Sequence, residues 1–191
     1  QLEMLRYQLN PHFLFNALNS IRASVAEDNK QARQMITQLS EFLRHSLLGA
    51  DNREIKLAEE IEAARNYLAI EKIRFEENLE VEFNVDKRTE SLTVPSFLLN
   101  PLIENAVKHG FLVSPKPLKI RVSAMIDGDR LVLEVANSGT LGNSEDSNGT
   151  KIGLANIRKR LEKLFGAAGV FELKQLGETV VARITIPCAE S

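Results

Sequence analysis

The chain has 191 residues, so at roughly 150 residues per domain it holds one or two domains. Its 43% hydrophobic and 26% charged residues exclude a disordered chain, and 24 Lys+Arg against 26 Asp+Glu exclude a global basic field for nucleic acid. A single cysteine, Cys188, excludes an internal disulfide and a Cys-rich zinc site, and no apolar run approaches the ~18 residues that span a bilayer.

Residues 1 to about 27 place Leu2, Leu5, Leu9, Phe13, Ala17 or Leu18, Ile21 and Val25 in steps of three and four, a helical stripe interrupted by Pro11. After the polar turn Glu27-Asp28-Asn29-Lys30, a second helix carries Ala32, Met35, Ile36, Leu39, Phe42, Leu43 and Leu47 on one side. Two amphipathic helices joined by a short turn form an αα-hairpin, and pairing two copies as a four-helix dimer covers both stripes. Gly49 to Arg53 reads as a linker, with a hinge over 49–56. Residues 57–77 are helical, with Leu57, Ile61, Ala64, Leu68 and Phe75 on one face.

Near residue 78 the period changes. Leu79, Val81, Phe83 and Val85 alternate with polar residues, as in a half-buried strand. An apolar helix follows Pro95, with Gly110 as its expected C-cap. Strands at about 118–126 and 130–136 flank the turn Asp127-Gly128-Asp129. Residues 137–150 read as a mobile loop, 153–165 as a helix, and 169–175 and 179–187 as two closing strands. The expected class is α+β: a helical hairpin (1–50), a linker and connecting helix (51–78), and an α/β sandwich with a mainly antiparallel sheet (79–191).

Three constellations can carry chemistry. In Asn10-Pro11-His12-Phe13-Leu14-Phe15-Asn16, His12 adjoins the proline on an otherwise apolar helix, and a mostly neutral imidazole is a competent nucleophile. Asn16, one turn on, can orient its ring. Around Asn105, Lys108, His109 and Gly110, an amide oxygen suits magnesium and a lysine on the same helix face suits a phosphate. An ordinary polar helix end explains that spacing equally well. From Asn137-Ser138-Gly139 to Gly149-Thr150-Lys151-Ile152-Gly153-Leu154, a Gly-rich loop runs into a helix start. Lys151, Arg158, Lys159, Arg160 and Lys163 against Glu162 give residues 149–163 a charge of +4. Together these features favour a nucleotide phosphate over a merely solvated basic helix.

In this order the segments resemble the cytoplasmic catalytic region of LytS-like sensor histidine kinases, over essentially the whole chain. YQLNPHFLFNALNSI (7–21) looks like the phosphoacceptor box, PLIENAVKHG (101–110) like the N box, NSG (137–139) like the G1 box and GTKIGLANIRKRL (149–161) like the G2 box. The last three also resemble the wider Bergerat-type (GHKL) ATP-binding fold. The resemblance implies that His12 is phosphorylated with Asn16 beside it, and that Asn105 holds Mg²⁺. ATP contacts would fall to Asn105, Lys108, His109, Asn137, Gly139, Gly149, Lys151, Gly153, Leu154, Asn156 and Arg160, with residues 140–152 as a lid. It further implies a homodimer through the N-terminal helices and a response-regulator receiver domain as phosphoryl acceptor. Nucleic acid is not an expected partner, and a membrane would be reached only through segments preceding Gln1.

Asn137 stands where the wider fold often has Asp, and Lys151 where GxGIGL has its middle glycine. Both departures support an alternative, a pseudokinase scaffold that dimerises and signals by conformation. A free-standing GHKL kinase acting on serine in a partner fits less well, because the chain carries its own histidine helix. Pro101 occupies the position, four before Asn105, where ATP-hydrolysing relatives carry a water-activating Glu. That favours transfer to a side chain over hydrolysis.

Overall fold

The structure is a computed structural model that describes residues 54–141 and 148–188, with the backbone alone from 148 to 156, together with Ile21, Val25, Asn29 and Ile36. His12 and Asn16 lie outside the described residues, as do most of the two N-terminal helices expected from the sequence.

A three-residue strand, β1 (Glu54–Lys56), leads directly into helix α1 (Leu57–Phe75). Acidic Glu59 and Glu60 stand in the first turn of α1 and basic Lys72 and Arg74 in its last, complementing the helix dipole. Strand β2 (Leu79–Val85) follows, then the short β3 (Thr93–Pro95), which pairs antiparallel with β1. The last three residues of the expected hinge are therefore a paired strand. Helix α2 (Asn100–Val113) has a proline in its first turn, where the missing N–H costs nothing. Strands β4 (Leu118–Asp127) and β5 (Arg130–Ser138) form the expected hairpin, with Gly128 at φ 63° in its turn. Helix α3 (Asn148–Phe165) and strands β6 (Val170–Leu176) and β7 (Thr179–Pro187) complete the chain.

The five-stranded sheet has the order β2-β4-β5-β7-β6, parallel between β2 and β4 and antiparallel elsewhere. One face carries the core. Ile120, Val122 and Ala124 of β4 and Leu131, Leu133 and Val135 of β5 pack with Leu102, Ile103 and Ala106 of α2 and with Ile157 and Leu161 of α3. Leu57, Ile61, Ala64 and Leu68 of α1 belong to the same core, so the connecting helix is bonded to the sheet by burial. The opposite face is polar, with the cross-strand pairs Glu80–Lys119, Glu82–Arg121 and Glu134–Arg183.

Two expectations are corrected. Gly110 does not end α2; the helix runs three residues further, and the cap position is Ser114, whose N–H donates to Gly110 O at 2.8 Å. Gly110 is there for space: a Cβ on it would meet Leu118 Cδ1 at 2.5 Å. The expected loop over 137–150 is also shorter, since β5 runs to Ser138 and α3 begins at Asn148. Among the described residues no helix is long and apolar enough to cross a membrane.

Candidate functional site

α2 packs between α1 and α3 above the sheet. Leu102, Ile103, Ala106, Val107 and Gly110 face inward, which turns Asn105, Lys108 and His109 away from the sheet. Asn105 is half-buried, and its Oδ1 is buried without a hydrogen-bond partner among the described residues. A buried carbonyl oxygen left unpaired is costly, so the position suits an oxygen-seeking ligand. Lys108 is exposed. Burial, and then the neighbouring Lys108 charge, hold the His109 imidazole below its ordinary pKa, which keeps it neutral at pH 7.

Asn137 lies near the end of β5, level with Ile120 of β4 and Val180 of β7, and is 6% exposed. Its Nδ2 donates to Ser138 O at 2.8 Å. That leaves the amide oxygen as the acceptor on offer to a ligand amino group. Gly139 follows at φ 112°, and a Cβ there would meet Val113 Cγ2 at 3.1 Å and Ser114 backbone at 3.3 Å. Only glycine fits this approach of the post-β5 turn to the end of α2. Beyond the turn, Gln175 of β6 holds Leu141 N–H and Gly139 O at 2.6 and 3.1 Å.

Gly149, Lys151, Gly153, Leu154 and Asn156 fall on the first nine residues of α3, whose side chains lie outside the described residues. Arg160, one turn past Asn156, is half-buried. Its Nη1 donates to Phe97 O at 3.4 Å, and its Nη2 is buried with no partner among the described residues. Burial lowers the pKa of its guanidinium, partly offset by the Glu60 carboxylate. α2 and α3 are packed neighbours. One thus carries an acceptor oxygen and the other a cationic donor, each buried without a hydrogen-bond partner among the described residues.

No cluster of three or more His, Cys, Asp or Glu suited to a metal occurs among the described residues. That is compatible with Mg²⁺, which takes one or two protein oxygens and completes its shell with water and substrate phosphates. A depression of about 550 Å³, lined by Glu80, Glu82, Lys119 and Arg121 among others, reaches Asn137 and Ser138 at the end of β5.

Among the buried polar residues that the sequence did not single out, two stand at the α1–α2 junction. Glu60 of α1 is fully buried, and Asn100, at the start of α2, is buried with neither side-chain polar atom paired among the described residues. Glu60 had a signal: three residues after Leu57, it is an acid on an otherwise apolar stripe. Asn100 had none.

Residues 1–79 match a family model described as histidine kinase. The sensor protein LytS of Staphylococcus haemolyticus is 36% identical over 197 residues, covering 96% of this chain. The chain is a LytS-like sensor histidine kinase sequence. It spans about a third of that relative, 34% of its length. Among solved structures, the catalytic domain of histidine kinase ThkA aligns with a TM-score of 0.51 at 21% identity, over 73% of this chain and 98% of that one. ThkA in complex with the response regulator protein TrrA aligns with a TM-score of 0.52 at 21% identity, over 94% of this chain and 58% of that one. At that identity the two structures establish a shared fold: this LytS-like chain has the α+β architecture of histidine kinase catalytic domains.

Proposed function

We propose that the chain is the catalytic region of a two-component sensor histidine kinase, which uses ATP and Mg²⁺ to phosphorylate its own His12. The observation that carries this reading is the pair of complementary orphans, Asn105 Oδ1 on α2 and Arg160 Nη2 on α3. Asn105 would hold the metal, and bound Mg²⁺ supplies charge neutralisation on the phosphates. Arg160 and Lys108 bind and orient phosphate oxygens, and Asn137 Oδ1 accepts from the adenine amino group. Gly139 and the start of α3 bring backbone close to the substrate.

In the transfer, a ring nitrogen of His12 attacks the γ-phosphorus. The N–P bond forms as the bond to the β-phosphate oxygen breaks, and ADP leaves. Positioning and electrostatics supply most of the rate. Pro101 offers no base for water, so the nucleophile is the imidazole. An aspartate on a response-regulator receiver domain then takes the phosphoryl group, a partner class suggested by the complex of ThkA with the response regulator TrrA. Two chains pair through their N-terminal helices into a four-helix bundle. Ile21, on the expected apolar stripe, is 50% exposed in the single chain, as a side chain covered by a second copy would be.

Calorimetric titration with ATP, with Mg²⁺ and with EDTA in its place, tests the reading. Binding that weakens when the metal is removed is expected. No binding at millimolar nucleotide would leave the scaffold alternative, to which Asn137 and Lys151 lend themselves.

A further inference from the structure

Helix α2 has no cap of its own. Its N-cap position is Leu99, which has no acceptor side chain, yet the residues leading into it are buried with their N–H groups pointing inward. The acceptor comes from another helix. Glu60 of α1, fully buried, takes the N–H of Phe97 on Oε1 at 2.5 Å and those of Leu98 and Leu99 on Oε2, each at 3.0 Å. A carboxylate at a helix N-terminus also meets the positive end of the dipole.

Phe97 sits at φ 64°, a left-handed conformation that a bulky residue keeps only when its surroundings impose it. Here it is held from two sides. Its N–H goes to Glu60 and its carbonyl accepts from Arg160 Nη1 of α3. One turn therefore ties three helices together: α1 through a carboxylate, α2 by chain continuity, and α3 through a guanidinium. Arg160 has a second nitrogen, Nη2, still unpaired among the described residues.

We propose that Glu60 is a positioning residue for the nucleotide site, which through Phe97 fixes the start of α2, and with it Asn105, against Arg160 on α3. The proposal rests on the nucleotide-binding reading above. Glu60 touches neither nucleotide nor metal. It sets the separation of the two groups that would, and β1, paired with β3 just before the turn, anchors the same junction.

The test uses the 191-residue chain. Glu60→Gln keeps the size and one acceptor oxygen but turns an NH₂ toward backbone donors. Expected are a rise of about tenfold in the Kd and KM for ATP with Mg²⁺ and a kcat changed less than about twofold. The double variant with Arg160→Lys should bind no worse than the weaker single variant, because both act on one junction. Unchanged Kd, or penalties that simply add, overturn the proposal, and so does an equal loss in kcat while the folded signal is kept. Hydrogen exchange on the unmutated chain keeps the idea testable if the variant fails to fold. ATP with Mg²⁺ should slow exchange at Phe97, Leu98 and Leu99 together with the turn around Asn105, and no protection at 97–99 contradicts it. Failure of the unmutated chain to bind nucleotide overturns the functional reading and this one with it; normal binding by Glu60→Gln overturns the positioning role alone.

Discussion

Phe75, the last residue of α1, stacks on Phe111 of α2 with ring centroids 3.8 Å apart and planes at 28°. The pair closes the far end of the α1–α2 seam from Glu60, and both rings pack against the core from its rim. Phe111→Ala removes a stacked, half-buried ring. It should cost about 2 kcal/mol, below the range for fully buried phenylalanines, and lower Tm by about 4–8 °C. Urea unfolding measures the first and thermal unfolding the second; an unchanged midpoint would mean the stack contributes nothing.

At Gly110 two effects oppose each other. Alanine gains up to about 1 kcal/mol of helix propensity at this position in the last turn of α2. Its Cβ, however, would meet Leu118 Cδ1 at 2.5 Å and Cδ2 at 3.0 Å, and Leu118 is buried. Overpacking costs about 1–3 kcal/mol, so Gly110→Ala should be neutral to destabilising despite the better helix former. The same Cβ would stand 3.4 Å from Asn137 Nδ2, so nucleotide affinity should fall with stability. A variant more stable than the parent would show that α2 can lift from β4 without loss.

The middle of the α1–α2 seam is acidic. Burial raises the pKa of Glu71, only partly offset by Arg74 at 3.8 Å; burial also raises that of Glu104, and burial followed by these two carboxylates raises that of Tyr67. With its folded pKa above its unfolded one, Glu71 contributes stability at low pH that is lost as pH rises through the folded value. At pH 7 the ionised carboxylate is therefore a cost. Glu71→Gln should raise Tm at pH 7, with the gain shrinking as pH falls into the ordinary carboxylate range. A lower Tm at pH 7 would mean the Arg74 pair outweighs desolvation.

Asn105→Ala removes the proposed metal ligand and fills no space the fold needs. Loss of one contact to a charged group, about 1.5–3 kcal/mol, corresponds to about 10- to 150-fold weaker ATP binding in Mg²⁺. In EDTA the variant and parent should bind alike. Equal weakening in both conditions would assign Asn105 a structural role.

Where the chain repeats a period, the sequence was enough. Alternation at Leu79, Val81, Phe83 and Val85 marks β2 to the residue, and Asp127-Gly128-Asp129 marks the β4–β5 turn. Gly110 misled because glycine serves both chain reversal and close approach, and only the position of Leu118 tells them apart. The first turn of α3 was hidden because Gly149 and Gly153 are poor helix formers. β1 and β3, three residues each and nearly forty apart, have no period to read. Asn105, Asn137, Gly139 and Arg160 were singled out in the sequence, but their ligand roles came from the resemblance and not from residue type and spacing alone. Asn100 carried no signal, and the acid at Glu60 broke an apolar stripe without showing which backbone groups the fold would bring to it.

The central claim is phosphoryl transfer to His12, and γ-labelled ATP tests it most directly. In Mg²⁺ the unmutated chain should acquire label that is lost in acid and kept in base, as a phosphoramidate is. His12→Ala should acquire none while still binding ATP. Label that persists in His12→Ala, or that survives acid, would contradict the account.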